Sequence, residues 1–339
     1  MRIVLDAMGN DAGATPLVEG AILAVKRYDC RVLLTGKEHS IARLLRHFRY
    51  TGDRIEIVPC RQVVRMGDSP TASLLKKDSS IAVATRLVKE GRGDAVVSAG
   101  NTGSSLAHAL KTWGRLRGVK RPGIANLMPT SKQPCLVLDL GANVDCKPQH
   151  LLDFAIMGAV YYREILGCPS PRVGVLSNGE EPTKGNALSL ATFELLAKSP
   201  LNFVGNVEGG EVFEGKADVV VCDGFVGNIL LKASEGAARL IMSGVKGVMK
   251  RNVLTLAGAL MLSPGMRALK KKIDASEYGG APLLGLNGIC IISHGSSNAH
   301  AVMNAIRVAT EAVRHNINEC IMTEVQSISH ELEGEDAAP

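Results

Sequence analysis

The stretch RIVLDAMGND (residues 2–11), followed by PLVEGAILAVKRY (16–28) and CRVLLTG (30–36), decides the fold class. RIVLD and CRVLLTG are short apolar runs that end at polar or small residues, as strands do, and the segment between them has helical periodicity. Strand, helix, strand is the βα unit of a parallel sheet. The rhythm repeats outward with HSIARLLRHF (39–48) as a helix, DAVVSAG (94–100) as a strand and a helix from about 104 to 113. Further strands are expected at 135–139, 172–176, 218–222 and 289–293. The pattern predicts an α/β fold, a mostly parallel sheet with helices on both faces. Residues 229–273 break the rhythm and read as two helices meeting at Ser263-Pro264-Gly265, a hairpin projecting from the sheet. The expected organisation is one catalytic domain over residues 1–330, two lobes sharing a sheet, with the acidic end ELEGEDAAP (331–339) as a disordered tail.

A chain of 339 residues can bury a full core and still hold a cleft. Its net charge is +6 but only 4% of residues are aromatic, so stacking platforms for nucleic acid are scarce, and acidic or phosphorylated partners are expected instead. The eight Cys form no C-x-x-C pair and several sit in apolar runs, which points to reduced thiols in the cytoplasm rather than disulfides or zinc. The start MRIVLDAM is too short and too acidic for a signal-peptide core and reads as the first strand. No H-E-x-x-H and no close acidic triad occurs, so no metal site is expected.

Six strand-to-loop junctions hold the residues suited to chemistry. DAMGND brings Asp6 and Gly9, where glycine allows close approach of backbone. SAGNTGSS places Ser98, Gly100, Asn101, Thr102 and Gly103 before a helix, whose N–H groups and positive end suit a phosphate. It is neither a Walker motif nor G-x-G-x-x-G. LDLGAN contributes Asn143, and SNGEEPTKGN contributes Asn178, Gly179 and the cation Lys184. DVVVCDGFVGNILLK carries Asp223, Gly227 and Asn228 into a helix start, where a side-chain amide can donate to an oxyanion. SHGSSNAHA offers His294 as a proton carrier and Ser296, Ser297 and Asn298 as phosphate ligands. Each loop alone reads equally well as a turn or a helix cap. Cys222, in an apolar strand, reads as a buried inert thiol. Together, neutral donors and few carboxylates suggest a site for an anion and a carbonyl.

These six motifs, with the run GEVFEGKADVVVCDGFVGNILLKASEG (210–236) and EYGGAPLLGLNG (277–288), resemble the bacterial phosphate acyltransferase family, which acts between acyl-carrier protein and inorganic phosphate. The resemblance implies a fold like isocitrate and isopropylmalate dehydrogenases and phosphotransacetylase, a homodimer, and no cofactor, nicotinamide included. It implies transfer of a fatty acyl group from the carrier thioester to phosphate, and a product passed to a membrane-bound glycerol-3-phosphate acyltransferase for phospholipid synthesis. Lys184 and Asn228 match positions that the family uses in catalysis. Where the family usually has a second Gly, this chain has Asn10, and Asn tolerates left-handed backbone, so the loop shape is expected to survive.

The hairpin carries Lys246, Lys250, Arg251, Arg267, Lys270, Lys271 and Lys272 without an acid between Leu240 and Ile273. An acidic carrier protein or an anionic inner membrane face would be drawn to it. Its centre, VLTLAGALML with Leu256, is too short to span a bilayer and fits either an interfacial dip or packing in a dimer. Rival readings are a short-chain phosphotransacetylase, an oxidoreductase of related fold and a non-enzymatic membrane-surface scaffold.

Overall fold

A computed structural model of the chain describes residues 1–273 and 279–336. Its strands are β1 (Arg2–Asp6), β2 (Arg31–Gly36), β3 (Ile55–Pro59), β4 (Ala95–Ser98), β5 (Gly123–Met128), β6 (Cys135–Leu138), β7 (Val173–Ser177), β8 (Phe203–Glu208), β9 (Val219–Val221), β10 (Ala281–Leu284) and β11 (Ile289–Ile292). The helices are α1 (Thr15–Arg27), α2 (Glu38–His47), α3 (Pro70–Ser73), α4 (Ser80–Lys89), α5 (Thr102–Trp113), α6 (Pro148–Leu166), α7 (Ala187–Ala197), α8 (Gly209–Glu214), α9 (Gly224–Met249), α10 (Val253–Ile273), α11 (Ala299–Arg314) and α12 (Ile317–Asp336).

The strands form one sheet in the order β3-β2-β1-β4-β11-β10-β5-β6-β9-β7-β8. β3, β2, β1, β4 and β11 are mutually parallel, and so are β6, β9, β7 and β8. Between these blocks, β10 is antiparallel to β11 and to β5, and β5 is antiparallel to β6. Three reversals leave the two blocks pointing in opposite directions. The loops after β1, β4 and β11 therefore start from one rim of the sheet, and those after β6, β7 and β9 from the other. The expected single ring of loops is two groups.

Alternation along the strands builds a core on each face, which is why helices cover both. Ile3 and Leu5 of β1 join the cluster under α1 and α11, whereas Val4 joins the one under α4 and α5. In the second block, Leu136 and Leu138 face α6 and α12, while Val137 and Val220 belong to the same cluster as Val4. One apolar layer thus runs under both blocks and ties them together.

Two boundaries differ from expectation. The hairpin turns at residues 250–252, and Pro264 lies inside α10. Asn252 forms a reciprocal cap with Thr255: its Oδ1 accepts the Thr255 N–H at 2.9 Å, and Thr255 Oγ1 accepts the Asn252 N–H at 3.1 Å. The cap fixes the start of α10, and Pro264 is carried inside the helix at the loss of one ladder bond. At the other end, α12 continues to Asp336, because Ile317, Ile321, Val325 and Ile328 form a buried stripe against the core and Leu332 extends it. The acidic end thus begins within a helix, and residues 337–339 lie outside those described.

A salt bridge fixes the start of adjacent strands β7 and β9. Arg172 Nη2 and Nε approach the two oxygens of Asp218 at 2.8 and 3.1 Å, and the Arg172 backbone N–H donates to Asp218 Oδ2 at 2.8 Å. Burial alone would raise the Asp218 carboxyl, but the hydrogen bonds from Arg172 outweigh it and hold it below the usual carboxylate range. A depressed carboxyl adds stability above its unfolded value and loses it as pH falls through the folded one. Asp218→Asn is expected to cost about 1–2 kcal/mol at pH 7, with the gap from native narrowing below about pH 4. Denaturant midpoints at pH 7 and pH 3 check this.

Candidate functional site: a cleft between two loop groups

The first loop group is locked by backbone contact. A Cβ on Gly9 would come within 2.6 Å of Gly100 Cα, so these two glycines press the loops after β1 and β4 together. Asn10 Nδ2 donates to the Ser297 carbonyl at 2.9 Å, and the Asp11 N–H donates to the Gly295 carbonyl at 2.8 Å. Asn10 needs no left-handed backbone, since Arg49 and Asn316 are the non-glycine residues with positive φ among those described. Its side chain serves as a tether to the loop after β11 instead.

Several residues expected to hold phosphate are occupied with supporting this group. Ser98 Oγ donates to Asp6 Oδ2 at 3.0 Å, both residues are buried, and burial raises the Asp6 carboxyl. Asn101 caps α5 through the Ser104 N–H, and its Nδ2 donates to the carbonyls of Met66 and Asp68 at 2.7 and 3.0 Å. Gly103 packs beside Pro70. Asn298 caps α11 through the Ala301 N–H at 2.9 Å and still borders the cleft.

The second group is organised by Asp139, which is fully buried. Its Oδ1 accepts from the backbone N–H groups of Ile124, Gly141 and Ala142, and its Oδ2 from the N–H and Nδ2 of Asn143. The Asn143 side chain also donates to the Pro122 carbonyl, so it braces the loop instead of facing a ligand. The Gly224 N–H donates to the Asn143 carbonyl at 2.7 Å, seating the first turn of α9, and Asp223 Oδ1 caps that turn through the N–H groups of Phe225 and Val226. Gly227 packs against the Asp139 carbonyl and is buried; it provides fit rather than a ligand contact. Burial, then the neighbouring Asp223 and Asp139, push the Cys222 thiol well up, which leaves it protonated.

α9 separates two hollows. On one side, a cavity of about 340 Å³ is bordered by Asn178, Asn186 and Asp223. On the other, a cleft of about 610 Å³ lies between the loop groups. Gly100, Thr102, His294, Ser296 and Ser297 form one wall of the cleft, and Gly141, Asn228 and Lys232 the other. Ile124, Leu140 and Ile292 make an apolar floor. The rims can converge here because β4, β6, β10 and β11 are four residues long, about 13 Å, and the sheet twists by about 20–25° per strand.

Asn228 is exposed above Gly141, whose positive φ of 131° opens the space beneath it, and its amide has no hydrogen bond with the described residues. His294 Nδ1 accepts the Ser296 N–H at 3.1 Å and lies 2.7 Å from Ser296 Oγ. In the neutral ring, that arrangement leaves the proton on Nε2. Ser293 and Ser297 hydroxyls pair at 2.8 Å.

Lys184 does not border the cleft. Its loop is pinned by Ser177 Oγ, which donates to the Lys184 carbonyl at 3.2 Å, and by Asn206 Nδ2, which donates to the Glu181 carbonyl at 2.7 Å. The residue is exposed, with its methylenes beside Gly179. Sequence reasoning overlooked Gly141, Met66, Asn126, Lys232 and Glu235, which all border the cleft. Lys232 was legible as Asn228 plus four on a helix, a spacing that shares one face; Met66 carried no comparable signal. Among the described residues, no three His, Cys, Asp or Glu side chains converge as metal ligands.

The backbone is similar to phosphotransacetylase from Streptococcus pyogenes, with a TM-score of 0.59 at 19% identity, covering 97% of this chain and 94% of the other. The EutD phosphotransacetylase from Staphylococcus aureus gives 0.57 at 17% identity, covering 96% and 94%. Likenesses at this identity define the fold, an α/β class with a mostly parallel sheet. The fatty acid synthesis protein family model matches residues 1–320, and the chain belongs to that family. It is similar to the phosphate acyltransferase of Desulforudis audaxviator, 49% identical over 320 residues and covering 94% of both chains. It is also similar to that of Pelotomaculum thermopropionicum, 47% identical over 329 residues and covering 97% of this chain and 96% of the other.

A Cβ at Gly227 would overlap the Asp139 carbonyl oxygen and come within 2.9 Å of Cys222 Sγ, whereas one at Gly210 would meet nothing within 4 Å. Gly227→Ala is expected to lose about 1–3 kcal/mol or more by overpacking, and Gly210→Ala to stay within about 1 kcal/mol of native. Thermal unfolding of both variants checks the pair.

Proposed function

We propose that this chain is an acyltransferase that moves a fatty acyl group from acyl-carrier-protein thioester to inorganic phosphate, giving acyl phosphate and free carrier protein. The observation that carries the proposal is one cleft with an apolar floor, a wall of neutral donors and a free side-chain amide at Asn228. The names of the similar phosphate acyltransferases support it.

Phosphate is already an anion near neutral pH and needs no covalent relay from the protein; positioning and charge stabilisation suffice. Thr102, Ser296 and the Gly100 backbone hold it against the first wall. Its oxygen attacks the thioester carbon, and the carbonyl electrons collect on an oxyanion to which Asn228 donates. Collapse expels the carrier thiolate, which takes up the proton that the remaining P–OH sheds as acyl phosphate forms, while the neutral His294 donates a hydrogen bond from Nε2 to the departing sulfur. Lys184, outside the cleft, is kept as a longer-range positive charge.

The hairpin serves the carrier or an anionic membrane face. Lys246, Lys250 and Arg251 are exposed, as are Leu256 at 49%, Leu260 at 70% and Met261 at 85%. The side chains of Arg267, Lys270, Lys271 and Lys272 lie outside the described residues. Among the described residues no helix is long and apolar enough to cross a membrane. A homodimer, contact at the inner membrane face and delivery of acyl phosphate to a membrane-bound glycerol-3-phosphate acyltransferase complete the proposal.

Incubation with acyl-carrier-protein thioester and phosphate, followed by hydroxylamine trapping, should give phosphate-dependent hydroxamate; none would overturn the proposal. Asn228→Ala should lower turnover about 100- to 1000-fold without changing the thermal midpoint. Anionic liposomes should float with the native protein and much less with Leu256→Glu; equal flotation of both would remove the membrane role.

A further inference from the structure

Building on the acyltransferase reading, we infer that Lys232 is the charge partner of inorganic phosphate in the cleft. Among the described residues that border the cleft, Lys232 is the sole Lys or Arg. It follows Asn228 by four residues on α9, so the two side chains share one helix face, and both residues border the cleft that Gly100, Thr102 and Ser296 also line. A dianion entering this space meets neutral donors on one side and, without Lys232, no charge but that of the Glu235 carboxylate on the other. The position is thus the one where a cation decides whether phosphate is held or repelled.

The resting partner of Lys232 shows how it is kept available. Lys232 Nζ lies 3.2 Å from Glu235 Oε2, and Arg239 Nη1 lies 3.6 Å from the same oxygen. The Lys232 side chain is 52% exposed, and solvated ion pairs of this kind are weak. Phosphate can draw the ammonium away at little cost, while Arg239 stays to neutralise Glu235. A compact ammonium on a flexible stem suits such an exchange better than a bidentate pair would. The apolar floor and Asn228 meanwhile take the acyl carbonyl, so Lys232 acts on the nucleophile and not on the thioester.

Initial rates with phosphate varied at fixed acyl-carrier-protein thioester, and the converse, separate the two substrates. Lys232→Gln should raise the phosphate KM about 10- to 100-fold, the loss expected for one charge-assisted hydrogen bond, and leave the thioester KM within about twofold. Lys232→Arg should recover most of the phosphate affinity. Calorimetric titration of inorganic phosphate should show the same order, and thermal midpoints without phosphate should match native, since the residue is half exposed. An unchanged phosphate KM in an active Lys232→Gln protein, or equal rises in both KM values, would overturn the assignment. Native protein without phosphate-dependent acyl transfer would instead sink the acyltransferase reading itself.

Discussion

The buried Asp139 carboxylate is the interaction on which the cleft depends. Five N–H donors from β5, its own loop and Asn143 converge on its two oxygens. Asn143, so held, accepts the first N–H of α9, and the helix then presents Asn228 and Lys232 one turn apart. One acid far from solvent thereby sets the position of two groups that face it. A buried polar network of this kind is stable only when every member is satisfied, which explains why both the backbone and the Asn143 amide are recruited.

Seven of the nine strands in the parallel blocks were legible because each is an apolar run ending at a small or polar residue, while β3 and β8, at the two edges of the sheet, went unnamed. The reversal between the blocks was not legible. β10 has four residues and contains Pro282, and β5 is a six-residue strand that opens at Gly123, so neither stands out as a strand. Those two strands decide that the loops belong to opposite rims, and no local pattern encodes the direction of a partner distant in sequence. The hairpin's turn was misplaced because proline and glycine at 263–265 signalled a break, while the Asn252–Thr255 cap that sets the start of α10 passed unnoticed.

Four of the six junctions singled out by composition border the cleft, but composition did not give the task of each residue. Asn101, Asn143 and Asp223 have the chemistry of ligand groups, yet they cap helices or brace loops. Gly9 and Gly227 are small because another loop presses against them. Sequence shows which side chains can donate; only the fold shows which donors are still free. Asn228 passes that second test, and Lys184 stands outside the cleft for which it was expected.

α9 is one uninterrupted rod of 26 residues. From Asn228 to Met249 it spans about 32 Å at about 1.5 Å per residue. The cleft wall and the hairpin tip are therefore two ends of a single lever whose pivot is the Gly224–Gly227 turn seated on the Asp139 loop. Tilting by about 5° would carry the tip about 3 Å yet shift Asn228, close to the pivot, by only a fraction of an ångström. Whatever met the tip would thus be mechanically buffered from Asn228, and the hairpin would have latitude to tilt while the cleft wall kept its alignment.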